Sequence, residues 1–225
     1  MIDPDILQSL TDWELDANTI ERLRLYAELV DRAPMNLTAF SPREFWIKGV
    51  LDALSLLPLI ENNGPRDSLS AVDIGSGSGL PGMVLAIVRP HWLWTLVDSR
   101  NKRADFLRDV VARLGLENVA VVSERAEEWP RIDPTAFQRF DLVTARAVAP
   151  VMTAVELTLP LAQLGGLVII PLGEAGYHEL EHRKDFVRRL GGVVLPLSVP
   201  WVASVKKVSL CPSKYPRTGA KLGQP

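Results

Sequence analysis

Cysteine and histidine are nearly missing from this chain: one Cys, at 211, and three His in 225 residues. An internal disulfide is therefore excluded, and the scattered His and Cys have no metal-ligand spacing, so no metal site is expected. Long apolar runs are missing too. A stretch such as LVIIPL over 167–172 suits a buried strand and falls far short of the roughly 20 residues that cross a bilayer, so no membrane partner is expected. Basic residues are scarce at the start, where Asp3, Asp5, Asp12, Glu14, Asp16, Glu21 and Glu28 face only Arg22 and Arg24. A secretory leader would carry Lys or Arg there, and a cytoplasmic protein is expected. Acids are absent from the other end. Beyond Asp185 there is none, while Arg188, Arg189, Lys206, Lys207, Lys214, Arg217 and Lys221 remain. A net charge of −2 gives no general attraction to polyanions, yet this lopsided distribution allows one basic face. A solvated tail accounts for it equally well.

What is present fits one α/β domain. Hydrophobic residues make up 47% and charged residues 23%, an ordinary globular balance. Apolar strands are expected over 69–74, 93–97, 119–122, 141–145, 166–172, 193–199 and 205–211. Helices are expected over 80–88, 101–114, 149–164 and 177–190, with Pro160 kinking or ending the third. This alternation implies a mainly parallel sheet covered on both faces, and Pro196 and Pro200 put the late strands near an edge. Two helices precede it. Asn18 with Glu21 resembles a capping box, and Ser41-Pro42-Arg43-Glu44 is a stronger start for a helix reaching about residue 57. Residues 62–67 read as a loop. The expected organisation is a helical extension over 1–66, a main domain over 67–211 and a basic tail over 212–225.

The stretch VDIGSGSGLPG, residues 72–82, carries the chemistry. Residues 77–82 are a literal G-x-G-x-x-G, the fingerprint of a dinucleotide loop. Residues 73–79 are D-x-G-x-G-x-G, the loop expected around S-adenosyl-L-methionine. The first reading predicts an NAD(P)-dependent oxidoreductase, the second a methyltransferase. Asp98 ends the next strand, where an acid accepts ribose hydroxyls of either cofactor; it also suits a helix cap. Asp73 discriminates better, because an acid at this late strand position can orient the loop and reach a cofactor amino group. The segment Arg125-Ala126-Glu127-Glu128 follows the third strand and can bind an adenine amine. Arg146 emerges from an apolar fourth strand and must find an anion or a stacked partner. Four strand ends converge on one crevice, which favours the methyltransferase.

These residues resemble the RsmG (GidB) methyltransferases of bacterial small-subunit ribosomal RNA. The resemblance covers most of the chain: Asn36-Leu37-Thr38, DIGSGSGLPG, Leu96-Val97-Asp98-Ser99 with Lys102-Arg103, Arg125-Ala126-Glu127-Glu128, Phe140-Asp141 with Ala145-Arg146-Ala147, and Lys214-Tyr215-Pro216-Arg217. It implies a Rossmann-like fold that binds S-adenosyl-L-methionine and methylates N7 of a guanine in 16S ribosomal RNA, as naked RNA, assembly intermediate or whole subunit. It places the cofactor on Gly75, Leu80, Ala126, Glu127 and Arg146, with Asp98 at the ribose; Asp73, Gly77 and Gly79 complete the expected loop. Two pairs depart from the family pattern. Lys48-Gly49 stands where Arg-His is common, and Leu172-Gly173 where Lys-Gly is common.

Guanine N7 has a free lone pair, so no residue is expected as general base, and Arg146 is the candidate positioning group on the cofactor or base side. The expected RNA-facing residues are Lys48, Arg100, Lys102, Arg103, Lys206, Lys207, Lys214 and Arg217, with Tyr215 or a Trp stacking on a base. A monomer is expected. The competing readings are a methyltransferase for a small molecule or protein, the oxidoreductase, and an RNA-binding module without cofactor.

Overall fold

The computed structural model describes residues 2–63 and 67–224. Seven strands form one sheet: β1 (Ser70–Ile74), β2 (Leu93–Val97), β3 (Val119–Val122), β4 (Phe140–Ala145), β5 (Ala162–Pro171), β6 (Gly192–Val194) and β7 (Val202–Lys207), in the order β3-β2-β1-β4-β5-β7-β6. The pairs β1–β2, β1–β4, β2–β3 and β4–β5 are parallel, and β7 runs antiparallel to both its neighbours. The strand order reverses between β1 and β4, which opens a crevice beyond their carboxyl ends. β1 and β4 are buried on both faces and consequently read as continuous apolar runs interrupted by Asp73, Thr144 and Asp141.

Helices α1 (Pro4–Asp12), α2 (Ala17–Asp31), α3 (Pro42–Glu44), α4 (Asp52–Leu54) and α5 (Leu57–Asn63) precede the sheet. A π-helical segment, Phe45–Leu51, joins α3 to α4 without a break, and such wide turns recur near functional sites. The capping box at Ser41 and Glu44 is present. α1 was not foreseen, because only Ile6 and Leu10 of its residues are buried. α2 begins two residues earlier than its sequence signal: the Asp16 carboxylate, rather than Asn18, accepts from the Thr19 amide at 2.7 Å. The expected loop over 62–67 is corrected in part, since α5 continues to Asn63 with Pro58 tolerated in its first turn. Residues 64–66, where the boundary of the main domain was expected, lie outside the described residues. One apolar core runs through both parts, joining Leu23, Tyr26 and Leu54 to Met83, Leu96 and Leu107.

The later helices are α6 (Gly82–Val88), α7 (Asn101–Leu114), α8 (Trp129–Ile132), α9 (Val151–Thr158), α10 (Gly173–His182) and α11 (Lys184–Arg189). α9 stops before Pro160, which has no amide to continue it. The single helix expected over 177–190 is two, broken at Arg183. β6 is only three residues long, and Pro196 and Pro200 lie in the turn after this edge strand.

Candidate functional site

The glycine loop leaves β1 and folds back on β2. The amides of Gly75 and Ser76 both donate to the Val97 carbonyl, at 2.8 and 3.0 Å, and Gly79 donates to the Ser76 carbonyl at 2.6 Å. Gly75, Gly77 and Gly79 have φ of +67°, +56° and +108°, conformations that a side chain would strain. At Gly75 space is short as well: a Cβ would stand 2.5 Å from Val148 Cγ2. The bare backbone there is one wall of a cavity of about 250 Å³ whose lining includes Gly75, Ser99, Ala126, Glu127, Val148 and Leu222. Elements following β1, β2, β3 and β4 therefore meet at this cavity, although of the residues expected there Asp73, Asp98 and Arg146 do not line it.

Asp98 is 4% exposed. Its Oδ2 accepts from the Gly77 amide and its Oδ1 from the Arg100 amide, each at 2.9 Å. The carboxylate thus fixes the glycine loop and turns the chain into α7. Its two oxygens have further lone pairs, which leaves capacity for ribose hydroxyls. Glu127 holds Arg125 at 2.8 Å, and its side chain is mostly enclosed.

Asp73 is fully buried and lies beneath the loop. It accepts from Thr144 Oγ1 at 2.6 Å, while Oδ2 has no hydrogen-bond partner. Burial pushes this carboxyl up to about 7, against the pull of the Thr144 hydroxyl. Asp73 is not among the residues lining the cavity; its observed contacts support the loop from below. From above, the buried Tyr26 of α2 donates its hydroxyl to the Ser78 carbonyl at 2.9 Å. The sequence shows Tyr26 only as one more apolar position of α2, and nothing in its spacing reveals this clamp. Leu80 packs on Gly49, where a Cβ would be 3.0 Å from Leu80 Cδ1. Glycine at 49 gives Leu80 its space.

Arg146 turns away from this cavity. Its Nη2 donates to the Lys48 carbonyl at 2.5 Å, lies 3.5 Å from Asp52 Oδ2, and its guanidinium sits 5.7 Å from the centre of the Phe40 ring. It lines a second cavity of about 290 Å³ with Asp52, Pro81 and Trp201. Neither Asp52 nor Trp201 was singled out in the sequence, because the turn that presents Trp201 and the helical run that presents Asp52 meet only through tertiary folding.

The basic residues divide into two groups. Arg100 and Lys102 are exposed at the start of α7, Arg103 is half-buried there, and all three border a shallow hollow with Asn36. Arg103 also stands 3.8 Å from Asp98. Lys48 is exposed and pairs with Glu44, and Lys214 is exposed over the Tyr215 ring.

Four expectations are corrected. Lys207 is 1% exposed, with Nζ donating to the Leu159 and Leu190 carbonyls. Burial pushes it down to about 8, and RNA has no access to it. Lys206 is half-buried and donates to the Asn63 carbonyl. Arg217 is committed to the buried Glu156, with Nε and Nη2 donating at 2.8 and 2.6 Å. Tyr215 is buried against Phe186 and Arg217 rather than free to stack on a base. The tail, as far as residue 224, is therefore largely structural: it is pinned to α9, and its Leu222 lines the first cavity.

Among the described residues no group of His, Cys, Asp and Glu could hold a metal ion, and no helix is long and apolar enough to cross a membrane. A family model described as rRNA small subunit methyltransferase G (GidB) matches residues 19–202. Ribosomal RNA small subunit methyltransferase G of Roseiflexus castenholzii is 38% identical over 226 residues, covering 95% of this chain and 94% of that protein. Its counterpart in Sorangium cellulosum is 45% identical over 169 residues, covering 74% and 69%. Among solved structures, precorrin-6y C5,15-methyltransferase from Geobacter metallireducens superposes with a TM-score of 0.52 at 15% identity, over 77% of this chain and 92% of that one. M. jannaschii TYW2, solved in complex with AdoMet, gives 0.53 at 15% identity over 75% of each. The architecture is the Rossmann-like methyltransferase fold.

Proposed function

The chain belongs to the GidB family, rRNA small subunit methyltransferase G, and we propose on that footing that it transfers a methyl group from S-adenosyl-L-methionine to N7 of a guanine in 16S ribosomal RNA. The observation that carries the cofactor half is the cavity at Gly75. A side chain there is excluded by both φ and the Val148 contact, and the lining residues Val97 and Ser99 flank Asp98, whose carboxylate has lone pairs to spare. Gly75, Gly77, Leu80, Asp98, Ala126 and Glu127 hold the cofactor, with Asp73 and Gly79 shaping the loop.

When bound, the cofactor supplies an electrophilic methyl carbon on a sulfonium. Guanine N7 would take that methyl through its own lone pair, the bond electrons leaving with sulfur, so the residues that would hold the donor (Gly75, Asp98, Ala126 and Glu127) need only position it. N7 carries no proton, so no side chain has to remove one. Among the described residues no His lines the cavity, and the step needs none. The protein's work is to align nitrogen, carbon and sulfur and to keep the donor in place. The bond pattern at Asp98 does this for the loop: one carboxylate ties Gly77 to the start of α7. Arg100, Lys102 and Arg103 beside Asn36 supply the phosphate-binding face. At a helix start these cations oppose the macrodipole, a small cost that an RNA phosphate offsets.

The protein acts in the cytoplasm as a monomer. Ribosomal RNA from a strain lacking the gene is expected to have lost one N7-methylguanine from 16S RNA, restored by the wild-type gene. An unchanged modification map would overturn the RNA assignment. Calorimetry with S-adenosyl-L-methionine and with NAD separates that result from a failure of the cofactor assignment, because only the former ligand should bind.

A further inference from the structure

The second cavity has a composition that the glycine loop does not explain. Its walls include Asp52 from α4, Pro81 from the glycine loop, Arg146 after β4, Pro171 at the end of β5, and Pro200 with Trp201 before β7. A third hollow lies between it and the cavity at Gly75. That hollow, of about 190 Å³, shares Val148 and Ala149 with the first cavity and Pro171 with the second. The three lie next to one another near the carboxyl ends of β1, β4 and β5.

Trp201 is held for display. Its carbonyl accepts from the Leu172 amide at 2.9 Å, which ties it to the end of β5. Its φ is +57°, a left-handed conformation in which a bulky side chain is strained. Trp201 is 38% exposed although Tyr177 and His178 pack near its ring, with ring centres 6.4 and 6.0 Å away. An exposed, strained and backed aromatic ring at a cavity wall is suited to stacking on a flat ligand.

Resting on the guanine-N7 reading above, we infer that this cavity receives the target guanine, with Trp201 as its stacking face and Asp52 and Arg146 as its readers. Guanine presents two donors, N1–H and the exocyclic amine, beside one acceptor, O6. Asp52 supplies acceptors and Arg146 donors from the same wall, 3.5 Å apart, in the complementary order. Arg146 must serve O6 and leave N7 free, because a donor on N7 would occupy the lone pair that attacks the methyl carbon. Adenine, cytosine and uracil each set a single donor beside an acceptor on this edge, so only guanine offers two adjacent donors for both oxygens of Asp52 together with an acceptor for Arg146.

Steady-state methylation of small subunits and 16S RNA from a strain lacking the gene tests this, with cofactor affinity measured beside it by calorimetry. Trp201→Ala is expected to lower kcat/KM roughly 10- to 100-fold, with Trp201→Phe within about threefold of wild type and the affinity for S-adenosyl-L-methionine unchanged. Wild-type kcat/KM in Trp201→Ala would overturn the inference. Should that variant also lose the cofactor, Asp52→Asn on the exposed wall decides: a loss of about tenfold or more with unchanged cofactor affinity supports the pocket, and wild-type turnover removes it. A wild-type protein that methylates no guanine N7 in either substrate would instead overturn the reading on which the inference rests.

Discussion

Asp73 shows how a single buried residue can brace a loop from below. Its carboxyl is buried and raised to about 7. Below its ordinary value of 3.8 the group is protonated in both folded and unfolded chains and has no effect on stability. Between 3.8 and about 7 the unfolded chain has released a proton that the native state keeps, so stability falls as pH rises. Above about 7 the whole cost of the buried charge is present. Asp73→Asn keeps an acceptor for Thr144 and removes the charge. Urea midpoints are expected to fall between pH 5 and pH 8 more steeply in the wild type than in this variant; parallel pH dependences would contradict the assignment. In the sequence, Asp73 was legible as an acid of the loop motif, and Asp98 as the acid closing β2. Their division of labour was not. Burial against Thr144 and the bond from Gly77 depend on β4 and on the end of β2, 71 and 21 residues away in the chain.

At the scale of elements, strands were easier to read than helix ends. β2, β3 and α7 match their expected spans, because β-branched runs and the Gly115 stop, in the left-handed region at φ +59°, are local signals. The tail was misread for a physical reason: sequence displays its charge but not its partner. Glu156 sits in the middle of an apolar helix, an anomaly that only Arg217 resolves. That carboxylate also accepts from the Arg217 and Gly223 amides, at 2.7 and 2.8 Å. Burial raises its pKa, but the Arg217 guanidinium and the tail amides more than offset this and hold it below the usual carboxylate range. Arg217→Ala would leave a buried charge without its cation, a change that costs about 3–5 kcal/mol when the pair is fully buried. The half-exposed guanidinium puts the expected loss at or below the lower end. Because Leu222 lines the cofactor cavity, cofactor affinity should weaken together with the thermal midpoint. Unchanged values of both would show that the tail is not a latch.

For the whole molecule, the charge that matters is local rather than net. Arg100 and Lys102 are exposed at the start of α7 near Met35 and Asn36, whereas Lys206 and Lys207 belong to β7 and its packing. Lys102→Ala is expected to weaken binding to small subunits and to reduce the slope of log K against log salt by about 1. Lys206→Ala should leave that slope unchanged; the opposite pattern would put the RNA on the other side of the sheet. The central claim is transfer of one methyl group to a ring nitrogen of guanine, and purified protein tests it most directly. With methyl-labelled S-adenosyl-L-methionine and small subunits from a strain lacking the gene, label is expected at one N7-methylguanine of 16S RNA, approaching one methyl per particle. Label on another atom or another molecule, or none despite bound cofactor, would contradict the account.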